Sequence, residues 1–269
     1  MNYKEYTKLM FPLYDTESNR YTSFPYMTIF LMLLNVVIAF IVGTNGDIYM
    51  MFGTIPRLVW QQEGGNAVTA VTYMFLHGGL LHLVGNMLSL WVFGRRVEDV
   101  TGPWRFLAFY LVCGLTANIL STVVRSDSLV PTIGASGALY GVMAAYLMIF
   151  PKGRIRVFFM LWLLPIFNTE IFNVGWFILS IVTIGSYIAI SEKSLVHSVA
   201  TLYFPTPKAY LVILYYVLLE IPRGLEILVY EQDAPVAHWA HLGGFFGGLF
   251  IFFFLRSDAF HRYRNELPL

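Results

Sequence analysis

Residues 134–141 read Gly-Ala-Ser-Gly-Ala-Leu-Tyr-Gly and begin an apolar segment that continues to Phe150. A hydroxyl group, that of Ser136, stands at the start of this segment, with Gly134 and Gly137 on either side. In a membrane, a polar group is unfavourable unless it has a hydrogen-bond partner or a functional role. We therefore expect the rest of the chain to supply a partner for Ser136.

The composition predicts a polytopic helical membrane protein. Of the 269 residues, 57% are hydrophobic and only 12% are charged, whereas soluble domains have about 25% charged residues. The length is enough for several spans in contact with the lipid bilayer, but leaves no room for a large soluble module as well. A net charge of +1 argues against a nucleic acid as a partner, because nucleic acids require a basic face. The single cysteine, Cys113, is expected to be a small buried hydrophobic residue.

Positive charges at the ends of the apolar segments predict the topology. Lys4, Lys8 and Arg20 precede the first segment, and positive residues favour the cytoplasmic side. We expect residues 1–25 to be a cytoplasmic N-terminal segment, residues 26–256 a membrane-embedded domain and residues 257–269 a cytoplasmic tail. The protein is then an integral multi-pass protein of the plasma (cell inner) membrane, with both termini in the cytoplasm.

Eight spans fit the charges and the parity of the crossings. Clear apolar segments cover residues 26–42, 73–93, 106–124, 136–150 and 236–255, and further crossings are expected at about 156–169, 171–191 and 208–230. The predicted fold class is all-α, with a six-helix core and an extra hydrophobic hairpin inserted between the fourth and last core helices. A re-entrant or surface-lying segment is the alternative for the inserted region.

Two polar residues lie on one face of the second predicted span. His82 and Asn86 are four residues apart, so they lie about one helical turn from each other. They either form hydrogen bonds between helices or donate hydrogen bonds to a developing oxyanion. His77 is expected to point elsewhere, into the membrane interface.

Glycines on the last predicted span form a strip below a histidine. His241, Gly244 and Gly248 share one helical face, and the fourth span has its own small residues four apart, Gly137 and Gly141. Small residues at this spacing let two helices approach closely.

Close packing of these strips would bring His241 to Ser136 at a similar depth. A neutral imidazole is the base that a serine nucleophile requires, although a single histidine is more often structural. His238, one turn further out, is expected to be solvated at the interface.

The serine motif on its own is weak evidence for catalysis. A glycine-rich chain contains such a tetrad by chance fairly often, and a nucleophile elbow would require glycine where Ala138 stands. The start of a helix does favour an oxyanion, because free backbone N–H groups and the positive dipole end are there. Tyr140, one turn below Ser136, either packs against the ring of His241 or is a plain core aromatic.

The sequence predicts neither a catalytic carboxylate nor a metal site. Glu98, Asp99 and Asp258 are expected at the cytoplasmic ends of spans, and Asp127 in an outer turn. We therefore expect a Ser-His dyad, no cofactor and no metal ligands.

Taken together, these motifs resemble those of the rhomboid intramembrane serine proteases. The matching pieces are His77-x4-His82-x3-Asn86, Gly134-Ala135-Ser136-Gly137 with Tyr140, and Ala240-His241-x2-Gly244-x3-Gly248. The resemblance covers about residues 20–150 and 231–256. One departure is the long distance from Ser136 to His241, which predicts an insertion at about 168–207.

The resemblance implies an endopeptidase whose nucleophile is Ser136 and whose general base is His241. It implies an oxyanion hole formed by His82, Asn86 and the Ser136 backbone N–H, with Tyr140 stacked on His241. Family members cleave single-span or multi-span membrane proteins near their extracytoplasmic end, and their fifth core helix, here about 208–230, is implicated in substrate entry. The alternative is a non-proteolytic rhomboid-like protein that binds or escorts membrane proteins. A small-solute transporter is disfavoured because internal repeats and intramembrane charges are not evident.

Overall fold

The computed structural model describes residues 10–21, 23–61, 68–159, 205–230 and 237–262. Within these residues the chain is predominantly helical, with one two-stranded sheet. The helices are α1 (Tyr26–Val42), α2 (Gly46–Phe52), α3 (Pro56–Gln61), α4 (Thr69–Thr72), α5 (Leu80–Ser89), α6 (Arg95–Thr101), α7 (Pro103–Val124), α8 (Ser136–Ile149), α9 (Ala209–Tyr230) and α10 (His238–Arg262). A 3₁₀ turn (Tyr73–Phe75) follows α4, a π-helical turn (Leu90–Gly94) joins α5 to α6, and the strands are β1 (Met10–Asp15) and β2 (Ile155–Phe159).

Of the helices in these residues, only α7 is by itself both long and apolar enough to cross a bilayer. Thr69–Phe75 and Leu80–Thr101 pass the same test together but are bent by 95° at the break between them. The predicted second span, 73–93, is therefore not one straight helix. Gly78 and Gly79 stand in the break, and α5 begins only at Leu80. Shorter apolar helices are Tyr26–Val42, Ser136–Ile149 and His238–Phe254.

The expectation of a span at 156–169 is wrong for its first residues, which belong to β2. This strand pairs antiparallel with β1, from Met10 opposite Phe159 to Asp15 opposite Ile155. Its β-branched and aromatic residues suit a strand. Ile155 and Val157 are buried while Arg156 between them is half-buried, which is the alternation of a sheet with one covered face.

The two flanks of the predicted insertion lie side by side. The N–H of Val157 donates to the carbonyl of Pro205 over 3.0 Å, and the N–H of Ala209 donates to the carbonyl of Gly153 over 2.7 Å. The chain therefore leaves the helical domain and returns to it at one place. The predicted span at 171–191 and nearly all of the predicted insertion at 168–207 lie outside the described residues.

Glycines let α8 and α10 pack backbone against backbone. A Cβ at Gly244 would lie 1.8 Å from the carbonyl oxygen of Gly137, and one at Gly248 would lie 2.5 Å from the Cα of Gly141. Any larger side chain at these positions would push the helices apart. The structure thus brings the two predicted glycine strips together.

The other face of α10 packs against α7 in the same way. A Cβ at Gly243 would lie 2.9 Å from the carbonyl oxygen of Thr116, and one at Gly247 would lie 2.2 Å from its Oγ1. Glycine pairs on two faces therefore fix α10 between α7 and α8. This position sets the depth and rotation of the histidines near its N-terminus.

A second polar cluster, here called the N-terminal clamp, lies at the end of α8 opposite Ser136. Its carboxylates are Asp15, Glu98 and Asp99. Asp15 binds Arg95 and Arg96 at 2.6 and 2.7 Å. Glu98 accepts hydrogen bonds from the backbone N–H groups of Met27 and Thr28 and from the Thr28 hydroxyl. Asp99 accepts from the backbone N–H groups of Arg20, Tyr21 and Ser23. The clamp attaches the chain before α1, and the first turn of α1, to α6 and its N-terminus.

Candidate active site

Ser136 and His241 form a buried hydrogen-bonded pair near the N-terminal ends of α8 and α10. The Oγ of Ser136 lies 2.7 Å from the Nε2 of His241, and the residues are 9% and 5% exposed. Ser136 is the first residue of α8, after a turn in which Gly134 has a φ of +121°. That conformation favours glycine, and it places the hydroxyl beside the free N–H groups at the helix start.

Tyr140 stacks on the imidazole of His241. The ring centroids are 4.4 Å apart and the planes differ by 5°. Since Tyr140 lies one turn after Ser136 on α8, the same helix supplies the hydroxyl and the surface against which the imidazole lies. The stacking limits rotation of the imidazole away from Ser136.

The expectation that the site has no carboxylate is wrong, because Glu220 of α9 is part of it. One carboxylate oxygen, Oε1, lies 3.1 Å from the Nδ1 of His241 and accepts the Tyr140 hydroxyl at 2.5 Å. The other, Oε2, lies 2.5 Å from the Nδ1 of His238. The helix could have ended with the apolar run before Glu220, but α9 continues through Pro222 to Tyr230 and so includes Glu220.

His238 is also placed differently from the prediction. It was expected to be solvated at the interface, but it is only 6% exposed and its imidazole faces Glu220. His238 and His241 are three residues apart, so both rings project from one side of α10. The carboxylate of Glu220 lies between them.

These three residues also correct the expectation that histidines and acids do not cluster as metal ligands. One ligand atom each from Glu220, His238 and His241 lies within 4.8 Å of the others. However, the 2.5 Å between His238 Nδ1 and Glu220 Oε2 is a hydrogen-bond distance. Ligands about 2.1 Å from a tetrahedral zinc ion lie roughly 3.4 Å from one another. The arrangement fits shared protons better than a shared metal ion.

His82 lies beside the turn that precedes Ser136. A Cβ at Gly134 would be 2.8 Å from both Cε1 and Nε2 of His82, so the ring can approach only because residue 134 is glycine. The N–H of Gly78 donates to the Nδ1 of His82 over 3.3 Å. The proton of the neutral ring is then on Nε2, the nitrogen nearest this turn. His82 therefore presents a donor next to the serine.

Asn86 and His77 contact each other. The Nδ2 of Asn86 lies 2.9 Å from the Nε2 of His77, and both residues are buried, with only 3% exposed. The expectation that His77 points into the interface is wrong, because the break before α5 turns it inward, where its ring lies 5.1 Å from that of His82. A chain of contacts thus runs from Asn86 through His77 and His82 to the turn before Ser136.

Comparison with known proteins identifies the family. The family model for the Rhomboid domain matches residues 64–192, which include Ser136, His82 and Asn86. Rhomboid protease GluP of Bacillus subtilis is 37% identical over 135 residues, which are 49% of this chain and 25% of that protein. The chain belongs to the rhomboid family. It is accordingly a membrane protein.

Other rhomboid relatives come from plants and animals. RHOMBOID-like protein 5 of Arabidopsis thaliana is 39% identical over 85 residues, 32% of this chain and 28% of that protein. The human presenilin-associated rhomboid-like protein, mitochondrial, is 36% identical over 96 residues, 35% of this chain and 24% of that protein. The matched part of the chain thus spans only about a quarter of the length of these relatives.

Sequence reasoning missed Glu220 as a site residue of this rhomboid, although a usable signal was present. A carboxylate inside a long apolar helix is itself a candidate for function, because an ionisable group there requires partners. What the sequence could not provide is the rotation of α9, which decides whether Glu220 faces the lipid or the histidines.

Proposed function

We propose that this rhomboid is an intramembrane serine endopeptidase that hydrolyses peptide bonds of transmembrane substrates. The observation that carries the proposal is the 2.7 Å contact between Ser136 Oγ and His241 Nε2. A serine hydroxyl is a poor nucleophile unless a base removes its proton, and this geometry is that of a nucleophile with its base. The stacked ring of Tyr140 and the position at a helix start favour the same interpretation.

In the proposed reaction, Ser136 Oγ attacks the scissile carbonyl while His241 Nε2 takes its proton. The C–O bond forms, and the electron pair of the carbonyl moves to its oxygen. As the tetrahedral intermediate collapses, His241 gives the proton to the leaving amine and the C–N bond breaks. A water molecule, deprotonated by His241, then hydrolyses the acyl-enzyme and releases Ser136.

We propose that His82, Asn86 and the backbone N–H of Ser136 stabilise the oxyanion. His82 is supported by its donor nitrogen next to the Gly134 turn, and Ser136 by its place at the start of α8. Asn86 would reach the oxyanion from one turn further along α5, with its amide now in contact with His77. Gly137, Gly244 and Gly248 support the site by holding α8 and α10 together.

We propose that the Ser136 end of the bundle is extracytoplasmic and that both termini are cytoplasmic. Arg95, Arg96 and Arg154 lie towards the opposite end, where Asp15 of the clamp binds the first two. Positive residues favour the cytoplasmic side. Residues 26–256 then form the membrane-embedded domain in the plasma (cell inner) membrane, between a cytoplasmic segment, 1–25, and a cytoplasmic tail, 257–269. Cleavage would occur near the extracytoplasmic end of a single-span or multi-span substrate.

Proteolysis can be tested with the purified protein in proteoliposomes and a model transmembrane substrate that carries small residues near its extracytoplasmic end. We expect cleavage by the wild type and none by Ser136→Ala, which keeps the fold because only one hydroxyl is removed. Equal cleavage by both proteins would exclude Ser136 as the nucleophile. Binding of the substrate without cleavage by either would favour the alternative, a rhomboid-like protein that binds or escorts membrane proteins.

A further inference from the structure

We propose that Glu220 is a positioning residue that extends the Ser136–His241 pair to a triad. This inference rests on the proposed function, since it concerns the base of the same reaction. Glu220 acts through His241 and does not itself contact the reacting atoms. It comes from α9, whereas Ser136 comes from α8 and His241 from α10.

The carboxylate of Glu220 is buried and faces three polar side chains. Glu220 is 4% exposed, so an ionised carboxylate there requires hydrogen bonds. Two side chains make these hydrogen bonds, the Tyr140 hydroxyl at 2.5 Å and His238 Nδ1 at 2.5 Å, and His241 Nδ1 lies 3.1 Å from Oε1 as an ion-pair contact. A carboxylate with these three partners is an acceptor in every contact.

The carboxylate of Glu220 beside Nδ1 favours one tautomer of His241. A neutral imidazole has one N–H and one lone pair. If Nδ1–H points to the carboxylate, the lone pair is on Nε2, which lies 2.7 Å from Ser136 Oγ. The serine hydroxyl can then donate to Nε2, which is the arrangement that a general base needs. The carboxylate also stabilises the imidazolium that forms when His241 takes the proton.

A contact one turn further along α9 holds Glu220 against the histidines. The indole Nε1 of Trp239 donates to the carbonyl of Gly224 over 3.0 Å. A Cβ at Gly224 would lie 3.2 Å from the Trp239 ring, so the small residue allows the close approach. Gly224 and Glu220 are four residues apart and lie on one face of α9. The helix is therefore anchored to α10 at the height of the triad.

The triad can be tested with Glu220→Gln, which keeps the shape of the side chain and removes its charge. We expect kcat for the transmembrane substrate to fall about 10²-fold with KM unchanged, because the base loses its orientation and its counter-charge. Glu220→Asp, which keeps the charge on a shorter side chain, should recover part of this loss. The matched control is Asp99→Asn in the N-terminal clamp, which also removes a buried carboxylate but should leave kcat unchanged.

The outcomes separate this inference from the proposed function. If the wild type cleaves and the folded Glu220→Gln variant has a kcat within about threefold of it, Glu220 does not position the base and only this inference fails. If Glu220→Gln does not fold, Glu220→Ala, which also removes the carboxylate, decides: wild-type kcat overturns the triad, and a lower kcat with unchanged KM supports it. If the wild type neither cleaves nor reacts with a serine-directed probe, the proposed function fails and the triad with it.

A metal-dependent role is the competing explanation for the same three residues. The triad predicts that wild-type protein treated with EDTA keeps its kcat, and that added zinc chloride does not raise it. Three results together would overturn the triad in favour of a metal site: EDTA removes the activity, zinc chloride restores it, and His238→Gln abolishes it as completely as Glu220→Gln.

Discussion

Among the buried polar clusters in the described part of the chain, two lie at opposite ends of α8, and their hydrogen-bond partners differ in kind. In the N-terminal clamp, Asp99 and Glu98 accept hydrogen bonds mainly from backbone N–H groups. In the candidate active site, Glu220 and Ser136 contact side chains, and two of these are histidines.

The comparison shows that a buried charge does not by itself indicate catalysis. Backbone N–H groups, and the guanidinium groups that bind Asp15, do not exchange a proton near neutral pH, so the clamp can only hold the chain in place. Imidazoles can do both, and the Ser136 hydroxyl next to one of them is a group with a reaction available to it. The two clusters should therefore respond differently to substitution: the clamp in stability, and the active site in turnover.

Among substitutions that leave the fold intact, the largest expected effect on turnover, apart from the triad, is that of His82→Ala. Removal of an oxyanion donor typically lowers kcat by about 10²–10³-fold, and His82 is only half-buried, so stability should change little. Steady-state cleavage and thermal unfolding in detergent measure the two effects. Leu81→Ala is the matched control, because Leu81 is the residue before His82, its side chain is 61% exposed and it contributes no donor. Wild-type turnover in His82→Ala would remove His82 from the oxyanion hole.

Gly244→Ala should lower both stability and turnover, since Gly244 lies in the contact between α8 and α10 that aligns Ser136 with His241. Its Cβ would be 1.8 Å from the Gly137 carbonyl oxygen, so α8 and α10 must separate. We expect a loss of about 3 kcal/mol of stability, the upper range for overpacking, and loss of cleavage because Ser136 and His241 move apart.

The control for this change is Gly46→Ala, where a Cβ meets nothing within 4 Å. It should be neutral or slightly stabilising, because alanine is the better helix former. If Gly244→Ala kept wild-type stability and activity, the close packing of α8 against α10 would be wrong.

The smallest effect on turnover is expected in the clamp. Asp99→Asn replaces one of the two carboxylate oxygens that accept from the N–H groups of Arg20, Tyr21 and Ser23 by an amide NH₂ that cannot accept, and should cost about 1–3 kcal/mol of stability. Its kcat in the folded protein should match that of the wild type. Asp47→Asn, at an exposed position on α2, is the control with no expected loss. A fall in kcat at unchanged stability would show that the two clusters are coupled.

Much of the helical part of the site could be predicted because it depends on spacing. Glycines four residues apart on α8, and three and seven residues after His241 on α10, predict a close contact between the helices. The depth of Ser136 and His241 follows from the charges at the ends of the segments. The break before α5 was missed because an apolar run across Gly78 and Gly79 has the same composition as a continuous span.

The role of Glu220 and the strand β2 depend on long-range pairing, which spacing does not encode. Whether Ile155–Phe159 forms a strand depends on β1, more than a hundred residues earlier. Whether Glu220 faces His238 and His241 depends on how α9 rotates when it packs on α10. Tertiary contacts decide both, and local sequence is compatible with several outcomes.

The central claim is that His241 activates Ser136 as a nucleophile. The most direct measurement is labelling of the protein in proteoliposomes with a fluorophosphonate probe, followed by peptide mapping of the adduct by mass spectrometry. The account predicts a stoichiometric adduct on Ser136 in the wild type and in Asp99→Asn, and none in His241→Ala. An adduct on another residue, or equal labelling of Ser136 in His241→Ala, would contradict it.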